Sequence, residues 1–208
     1  METKLLSDHA ADLLEAAALL QQGKVVGIPT ETVYGLAADA RNPEAVRQIF
    51  AAKGRPADNP LIVHIAEMQA LEQVAAVVPP LAVKLAERFW PGPLTMILKR
   101  KPVVPDATTA GLDTVAIRCP NHPVTLEVIR KADIALSAPS ANPSGKPSPK
   151  TAQEVLDYFD GHIEGIIDGG PCALGTESTI VDLTGETPVI LREGAIPAQE
   201  ILAVLGEG

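Results

Sequence analysis

Flat rings are scarce: one Trp, two Tyr and three Phe in 208 residues are too few to stack the bases of a nucleic-acid single strand. Cysteine is nearly absent, and Cys119 and Cys172 form no CxxC pair. The four histidines, His9, His64, His122 and His162, lack zinc-ligand spacing, so no structural metal is expected and a reduced, cytoplasmic setting is. Positive charge is in deficit, 17 Lys and Arg against 26 Asp and Glu for a net −9. Such a body gains little from a phosphate backbone, and any polyanion site must be a local cluster. A secretory leader is not expected either, because Glu2, Asp8, Asp12 and Glu15 interrupt what would be its basic and apolar regions. The longest apolar run, residues 74–83, is broken by Pro79 and Pro80 and is too short to span a bilayer. The expectation is a soluble protein without membrane contact.

What is present is a chain that is 46% hydrophobic and 21% charged, enough to bury one large core or two small ones. Sixteen glycines and 19 prolines, about one residue in six, exceed average usage and imply many rigid loops. Leu6, Ala10, Leu13, Ala17 and Leu20 repeat at three and four residues with Gly23 beyond, which predicts an opening amphipathic helix. Asn42, Pro43 and Gly54 frame a helix over 43–53 as N-cap, first position and stop. Further helices are expected at 80–90, 124–131, 152–159 after a Thr151 cap, and 198–205. Apolar runs at 25–28, 61–65, 95–98, 115–117, 134–136, 165–167, 179–183 and 189–191 read as strands. No linker, repeat or charge block divides residues 1–208, so the expectation is one α/β domain: a twisted, mixed, open β-sheet flanked by helices.

Polar residues gather in the loops that follow these strands, where ligands bind in open α/β sheets. The first is Pro29-Thr30-Glu31-Thr32-Val33-Tyr34-Gly35-Leu36, whose hydroxyls can orient a small polar ligand, though a threonine-rich turn feeding a helix explains it as well. In Lys53-Gly54-Arg55-Pro56-Ala57-Asp58-Asn59-Pro60, Lys53 suits a helix end, whereas Arg55, confined between glycine and proline, suits phosphate oxygens. His64 lies within the apolar pattern 61–65, where a hydrogen-bonded core histidine is the ordinary case. Arg118 emerges from a buried strand, ready for a ligand carboxylate or a structural Asp or Glu. Ser137-Ala138-Pro139-Ser140-Ala141-Asn142, with Ser148 beyond, supplies hydroxyl, amide and backbone donors. Gly170 and Gly175 have Walker A spacing, but Thr176 stands where the lysine must be, and no GxGxxG occurs.

Taken in order, Pro29-Thr30-Glu31-Thr32-Val33-Tyr34-Gly35-Leu36, Lys53-Gly54-Arg55, Pro91-Gly92-Pro93-Leu94-Thr95, Ser137-Ala138-Pro139-Ser140-Ala141-Asn142 and Ser178-Thr179-Ile180-Val181-Asp182 resemble the YrdC-like threonylcarbamoyl-adenylate synthases. The resemblance extends over nearly the whole chain, to Arg192-Glu193-Gly194. It implies a deep basic pocket and an enzyme, a nucleotidyltransferase, that joins L-threonine, bicarbonate and ATP into threonylcarbamoyl-adenylate with release of pyrophosphate. That product serves the threonylcarbamoyl-adenosine modification of tRNA, through downstream transferase proteins. Longer relatives carry an additional C-terminal domain, which is not expected here.

The resemblance further implies catalytic roles for Lys53 and Arg55. ATP would be held by Lys53, Arg55, Asn59, Thr114, Ser140, Asn142, Ser148 and Arg192, and threonine by Thr32, His64, Arg118, Ser178 and the backbone at Ala138. Magnesium would arrive on the ATP phosphates, without direct protein ligation, and Asn142 would help hold phosphate or metal. No protein nucleophile is required: the threonine amine adds to bicarbonate-derived CO2, and the carbamate attacks the α-phosphorus. Residues 143–149 are the expected mobile cover for so short-lived an intermediate, or else a plain surface loop. Two rival functions share the concavity: an RNA-binding module, against which the −9 charge and the six aromatics count, and a carbamoyl-adenylate-forming enzyme related to hydrogenase maturation. Weak RNA contact is compatible with the main reading.

Overall fold

A ten-stranded sheet organises the computed structural model, which describes residues 1–206. The strands are β1 (Lys4–Leu6), β2 (Val26–Ile28), β3 (Gly35–Asp39), β4 (Ile62–His64), β5 (Leu94–Lys99), β6 (Thr114–Arg118), β7 (Leu136–Ser137), β8 (Gly165–Ile167), β9 (Thr179–Asp182) and β10 (Val189–Arg192). The helices are α1 (Ala10–Gln21), α2 (Pro43–Lys53), α3 (Leu71–Val74), α4 (Pro80–Phe89), α5 (Asp106–Thr109), α6 (Pro123–Ala132), α7 (Ala152–Phe159) and α8 (Ala198–Gly206). Strand order is β1-β8-β2-β3-β7-β4-β6-β5-β9-β10. The pairs β1/β8, β2/β8, β4/β6 and β5/β9 are parallel and the rest antiparallel, so the sheet is mixed and open, as the alternating patterns predict.

Alternation along each strand sorts side chains to the two faces. Leu36 and Ala38 of β3 join Val46 and Ile49 of α2 and Val155 and Phe159 of α7 on one face. Ala37, between them, turns to the other, with Leu13 and Leu20 of α1 and Val128 and Ile129 of α6. A third cluster packs Val63, Met96, Ile117 and Val181 beneath Leu85 of α4 and Ile201 of α8. Helices cover both faces of the sheet, which is why its strands read as unbroken apolar runs. The framing of α2 is as the sequence predicts: Asn42 Oδ1 accepts from Glu44 N at 3.1 Å and Ala45 N at 3.3 Å, and Gly54 closes the helix at φ +64°.

Two strands depart from the sequence reading. Leu6 belongs to β1, paired with β8, and the first helix begins only at Ala10. The loop after β2 feeds strand β3 and not a helix. Gly-Leu-Ala-Ala-Asp has little intrinsic strand preference, so pairing with β2 and β7 makes the strand. Gly35 permits this because a Cβ there would meet Pro139 O at 3.2 Å and Ala138 Cβ at 3.3 Å. Across that close approach Leu36 N donates to Pro139 O and Ala141 N to Tyr34 O, which seats the 138–142 loop against the 29–35 loop.

Candidate active site

Register puts the site together. β4 and β6 pair in parallel with His64 opposite Arg118, and β5 pairs with β6 with Thr95 opposite Arg118. Paired residues share a face, so these three side chains form a row, while Val63, Ile117 and Met96, one residue away, enter the core. Onto this row fold the loop after β2, the loop after β7 and the residues leading into β9. Together they border a small cavity lined by Thr30, Thr32, Tyr34, His64, Arg118, Ala138, Ser140, Glu177 and Ser178, among others. All five threonine-site residues drawn from the resemblance, Thr32, His64, Arg118, Ala138 and Ser178, line this one cavity. A roomier cleft between residues 65–73 and the end of α6 contains none of the chemistry-bearing residues singled out from the sequence.

Arg118 is the anchor, its side chain 6% exposed. Nη2 donates to Glu31 Oε1 and Nη1 to Thr32 Oγ1 at 3.0 Å, while Nε is buried without a partner. A guanidinium has five N–H donors. Three remain, the Nε one among them, so Glu31 and a ligand carboxylate can occupy different edges of the same fork. Of the two readings of Arg118 left open by the sequence, the structural pairing with an acid is observed, and the unpartnered donors leave room for the other. Burial pulls the guanidinium below its ordinary pKa, and Glu31 pulls it back up. Glu31 in turn accepts from Asn121 N at 2.7 Å on its second oxygen, so both its oxygens are engaged.

His64 is fully buried, with Nδ1 3.2 Å from Ile62 O. Burial, reinforced by the Arg118 charge, pushes its imidazole down to about 3, which favours the neutral ring at physiological pH. Ser178 Oγ shares a hydrogen bond with Thr95 Oγ1 at 2.7 Å and accepts from Arg192 Nη2 at 3.3 Å. Thr30 Oγ1 gives its proton to Val33 O at 2.6 Å, so the 2.9 Å Thr30–Thr32 contact must use the Thr32 proton. Thr32 Oγ1 also accepts from Arg118, which leaves it one lone pair facing the cavity.

Of the residues predicted for phosphate, Ser140 lines the cavity, and Lys53, Ser148 and Arg192 bond to lining residues. Lys53 is buried, its Nζ donating to Asn142 O at 2.6 Å and to Ser140 O. Burial first, then the nearby Arg55 charge, lowers its ammonium to about 8, and Glu177 opposes that. Arg55 Nη2 donates to Pro60 O at 2.9 Å and Nε to Asn59 O at 3.3 Å, folding the 55–60 turn on itself. Asn142 Nδ2 donates to Pro143 O and Lys146 O, but its Oδ1 is buried with no partner. Ser148 Oγ donates to Glu177 Oε1 at 3.2 Å, and Arg192 Nε donates to Ser178 O at 3.0 Å. Residues 143–149, the expected cover, are tied through Ser144 N to Lys53 O and through Pro149 O, which accepts from Tyr34 N.

Thr114 is the outlier. It stands at the other end of β6 from Arg118, four residues or roughly 13 Å away, and lines a separate small apolar hollow with Pro60 and Leu61. Sequence reasoning missed the two acids, Glu31 and Glu177; the Tyr34 hydroxyl, expected to help orient a ligand, instead donates to Gly170 O at 2.7 Å and accepts from Gly169 N at 3.1 Å. The signal for Glu31 is present in the sequence: an acid between two threonines, after a buried strand, in a chain whose Arg118 calls for a carboxylate partner. Among the described residues no group of three or more His, Cys, Asp or Glu is placed to hold a metal ion. No helix there is long and apolar enough to cross a membrane.

Comparison with known proteins identifies the family of the chain. The profile of the family Sua5_yciO_yrdC, described as "Telomere recombination", matches residues 18–194. A threonylcarbamoyl-AMP synthase of Pyrococcus abyssi is 54% identical over 192 residues, covering 92% of this chain and 56% of the relative. That of Bacillus subtilis is 51% identical over 205 residues, covering 98% and 59%. The chain thus spans somewhat more than half the length of these curated relatives. The crystal structure of P. abyssi Sua5 complexed with L-threonine superposes with a TM-score of 0.95 at 50% identity, covering all of this chain and 62% of that one.

Proposed function

The chain belongs to the Sua5, YciO and YrdC family, and from that premise we propose that it makes threonylcarbamoyl-adenylate from L-threonine, bicarbonate and ATP, releasing pyrophosphate. The observation that carries the proposal is the buried Arg118 fork with an unpartnered Nε, set among Thr32, His64 and Ser178. A small amino acid fits there, its carboxylate on Arg118 and its hydroxyl on Thr32. The similar P. abyssi protein was crystallised with L-threonine, which supports that substrate. ATP and bicarbonate fit the reaction for which the relatives are named, threonylcarbamoyl-AMP synthesis.

Lys53, Arg55 and Arg192 would receive the triphosphate and offset its charge, with Ser140, Ser148 and Asn59 supplying polar contacts. Lys53 is pre-positioned by two carbonyls, so little side-chain freedom remains to be lost on binding. Magnesium fits as a partner of the nucleotide: Asn142 Oδ1, buried and without a hydrogen bond, is an oxygen that can accept from a water of its shell. When bound, magnesium neutralises phosphate charge. The residues around Arg118 orient the threonine carboxylate and hold the amine toward the cavity mouth, and the enclosing loops keep water from the carbamate. Downstream transferases acting on tRNA would consume the adenylate.

Purified protein incubated with ATP, magnesium, bicarbonate and labelled threonine should yield a labelled adenylate and threonine-dependent pyrophosphate. Pyrophosphate release that ignores threonine, or that takes carbamoyl phosphate in place of threonine and bicarbonate, would overturn the reading.

A further inference from the structure

Carbamate formation must dispose of a proton at a defined place. Starting from the bound ammonium, threonine and bicarbonate give the carbamate, one water and one released proton: one ammonium proton leaves with the bicarbonate hydroxyl as water, the freed amine lone pair attacks the resulting CO2, the C–N bond forms, and the nitrogen sheds the second proton. A group at the cavity wall that takes this proton as the bond forms accelerates the step.

The cavity offers few such groups, and geometry disposes of nearly all of them. Glu31 is engaged on both oxygens by Arg118 and Asn121 N. His64 is buried against Ile62 O and is neutral with little affinity for a proton. The Tyr34 hydroxyl is occupied by Gly169 and Gly170, and Lys53 is clamped by two carbonyls. Glu177 is different. It lines the cavity with Arg118, Thr32 and Ser178. Its Oε1 accepts a single hydrogen bond, from Ser148. Its Oε2 makes none among the described residues, the nearest cation being Arg192 Nη2 at 3.9 Å. The side chain is 44% exposed, so a proton taken from the substrate can pass on to water.

Resting on the function proposed above, we propose that Glu177 is the general base of carbamate formation. With the threonine carboxylate on Arg118, the amine on the adjacent carbon lies within the same cavity, and Glu177 Oε2 is the free acceptor that wall presents. The proton moves from nitrogen to Oε2 as C–N bonding completes, then to solvent, and Glu177 returns to its carboxylate. The charged groups facing it are Arg192 of β10, Lys53 of α2 and Arg118 of β6, with Lys150 beside the neighbouring Gly175.

The test compares wild type with E177Q and E177A in threonine-dependent pyrophosphate release, alongside threonine binding by calorimetry. Inactive wild type would sink the functional reading itself. With active wild type, the expected result is a fall in kcat of about 100-fold or more in both variants, with threonine affinity changed less than about threefold. Formate and, more strongly, the more basic acetate should restore E177A, whereas nitrate, a planar anion that is scarcely basic, should not. Rescue by nitrate equal to that by acetate would reduce Glu177 to an electrostatic role and overturn the proposal. So would a variant whose KM rises while kcat holds, or one whose loss of rate matches its loss of threonine binding.

Discussion

Replacing Glu31 with glutamine probes how the site is held together. The Glu31 and Arg118 side chains are 7% and 6% exposed and paired, and Glu31 also takes the Asn121 amide at 2.7 Å. Glutamine preserves the volume but has one acceptor where glutamate has two, so its amide must face either Arg118 or the Asn121 N–H, donor against donor. Breaking one side of a buried ion pair costs about 3–5 kcal/mol, and the retained acceptor places E31Q near the lower end, about 3 kcal/mol. For a chain of this length that corresponds to a fall of roughly 6–12 °C in Tm, readable by calorimetry. The double variant E31Q/R118M carries no uncompensated buried charge and should recover at least half of that loss. If E31Q melts within about 2 °C of wild type, or if the double variant loses the sum of the two single changes, then the pair does not secure the fold of the site.

Three further outcomes are expected. Because Thr32 Oγ1 has one lone pair left for the substrate hydroxyl, valine should be a worse substrate than serine, an unpaired buried polar group costing about 1–3 kcal/mol against roughly 1 kcal/mol for a lost methyl; equal pyrophosphate release with the two would show that the hydroxyl is not read. His64 is depressed from 6.5 to about 3 by burial, so between those values the unfolded chain binds a proton that the folded one refuses. Its stabilising contribution is thus complete above pH 6.5 and drains away as pH falls toward 3, by up to about 1.4 kcal/mol per unit; denaturant titrations of His64→Asn should show a shallower acid slope than wild type, and identical slopes would refute the assignment. A methyl at Gly194 would lie 2.3 Å from Glu177 O and 2.6 Å from Ser178 O. Gly194→Ala must therefore displace both residues and should weaken threonine binding at least tenfold, whereas unchanged affinity by calorimetry would show that the 177–178 backbone tolerates the shift.

Legibility in the sequence follows the range over which each interaction acts. The frame of α2 was readable because caps are local: Asn42 reaches two and three residues ahead, and Gly54 closes its own helix. β3 was not, since nothing local in Gly35–Asp39 prefers extension and both its partners are supplied from elsewhere in the chain. The same divide runs through the site. Lys53, Arg55, Arg118 and Arg192 could be singled out because a cation beside a glycine, or at the end of an apolar strand, is conspicuous within a few residues.

Their acids could not be singled out so easily. Glu31 lies 87 residues from Arg118, and Glu177 lies 29 from Ser148. Each acquires its role only when parallel pairing of β4 with β6, and of β5 with β9, brings separate loops to one end of the sheet. In an acidic chain, with 26 Asp and Glu, no single glutamate stands out. The same pairing gathers cations in one place on an acidic protein. Most of its acids lie in solvent, whereas Glu31 neutralises the buried Arg118 and Glu177 stands near Arg192. The chemistry of the site is therefore a property of register. A slip of one residue in β6 against β4 would turn Arg118 into the core and Ile117 into the cavity, removing the anchor without changing a single residue.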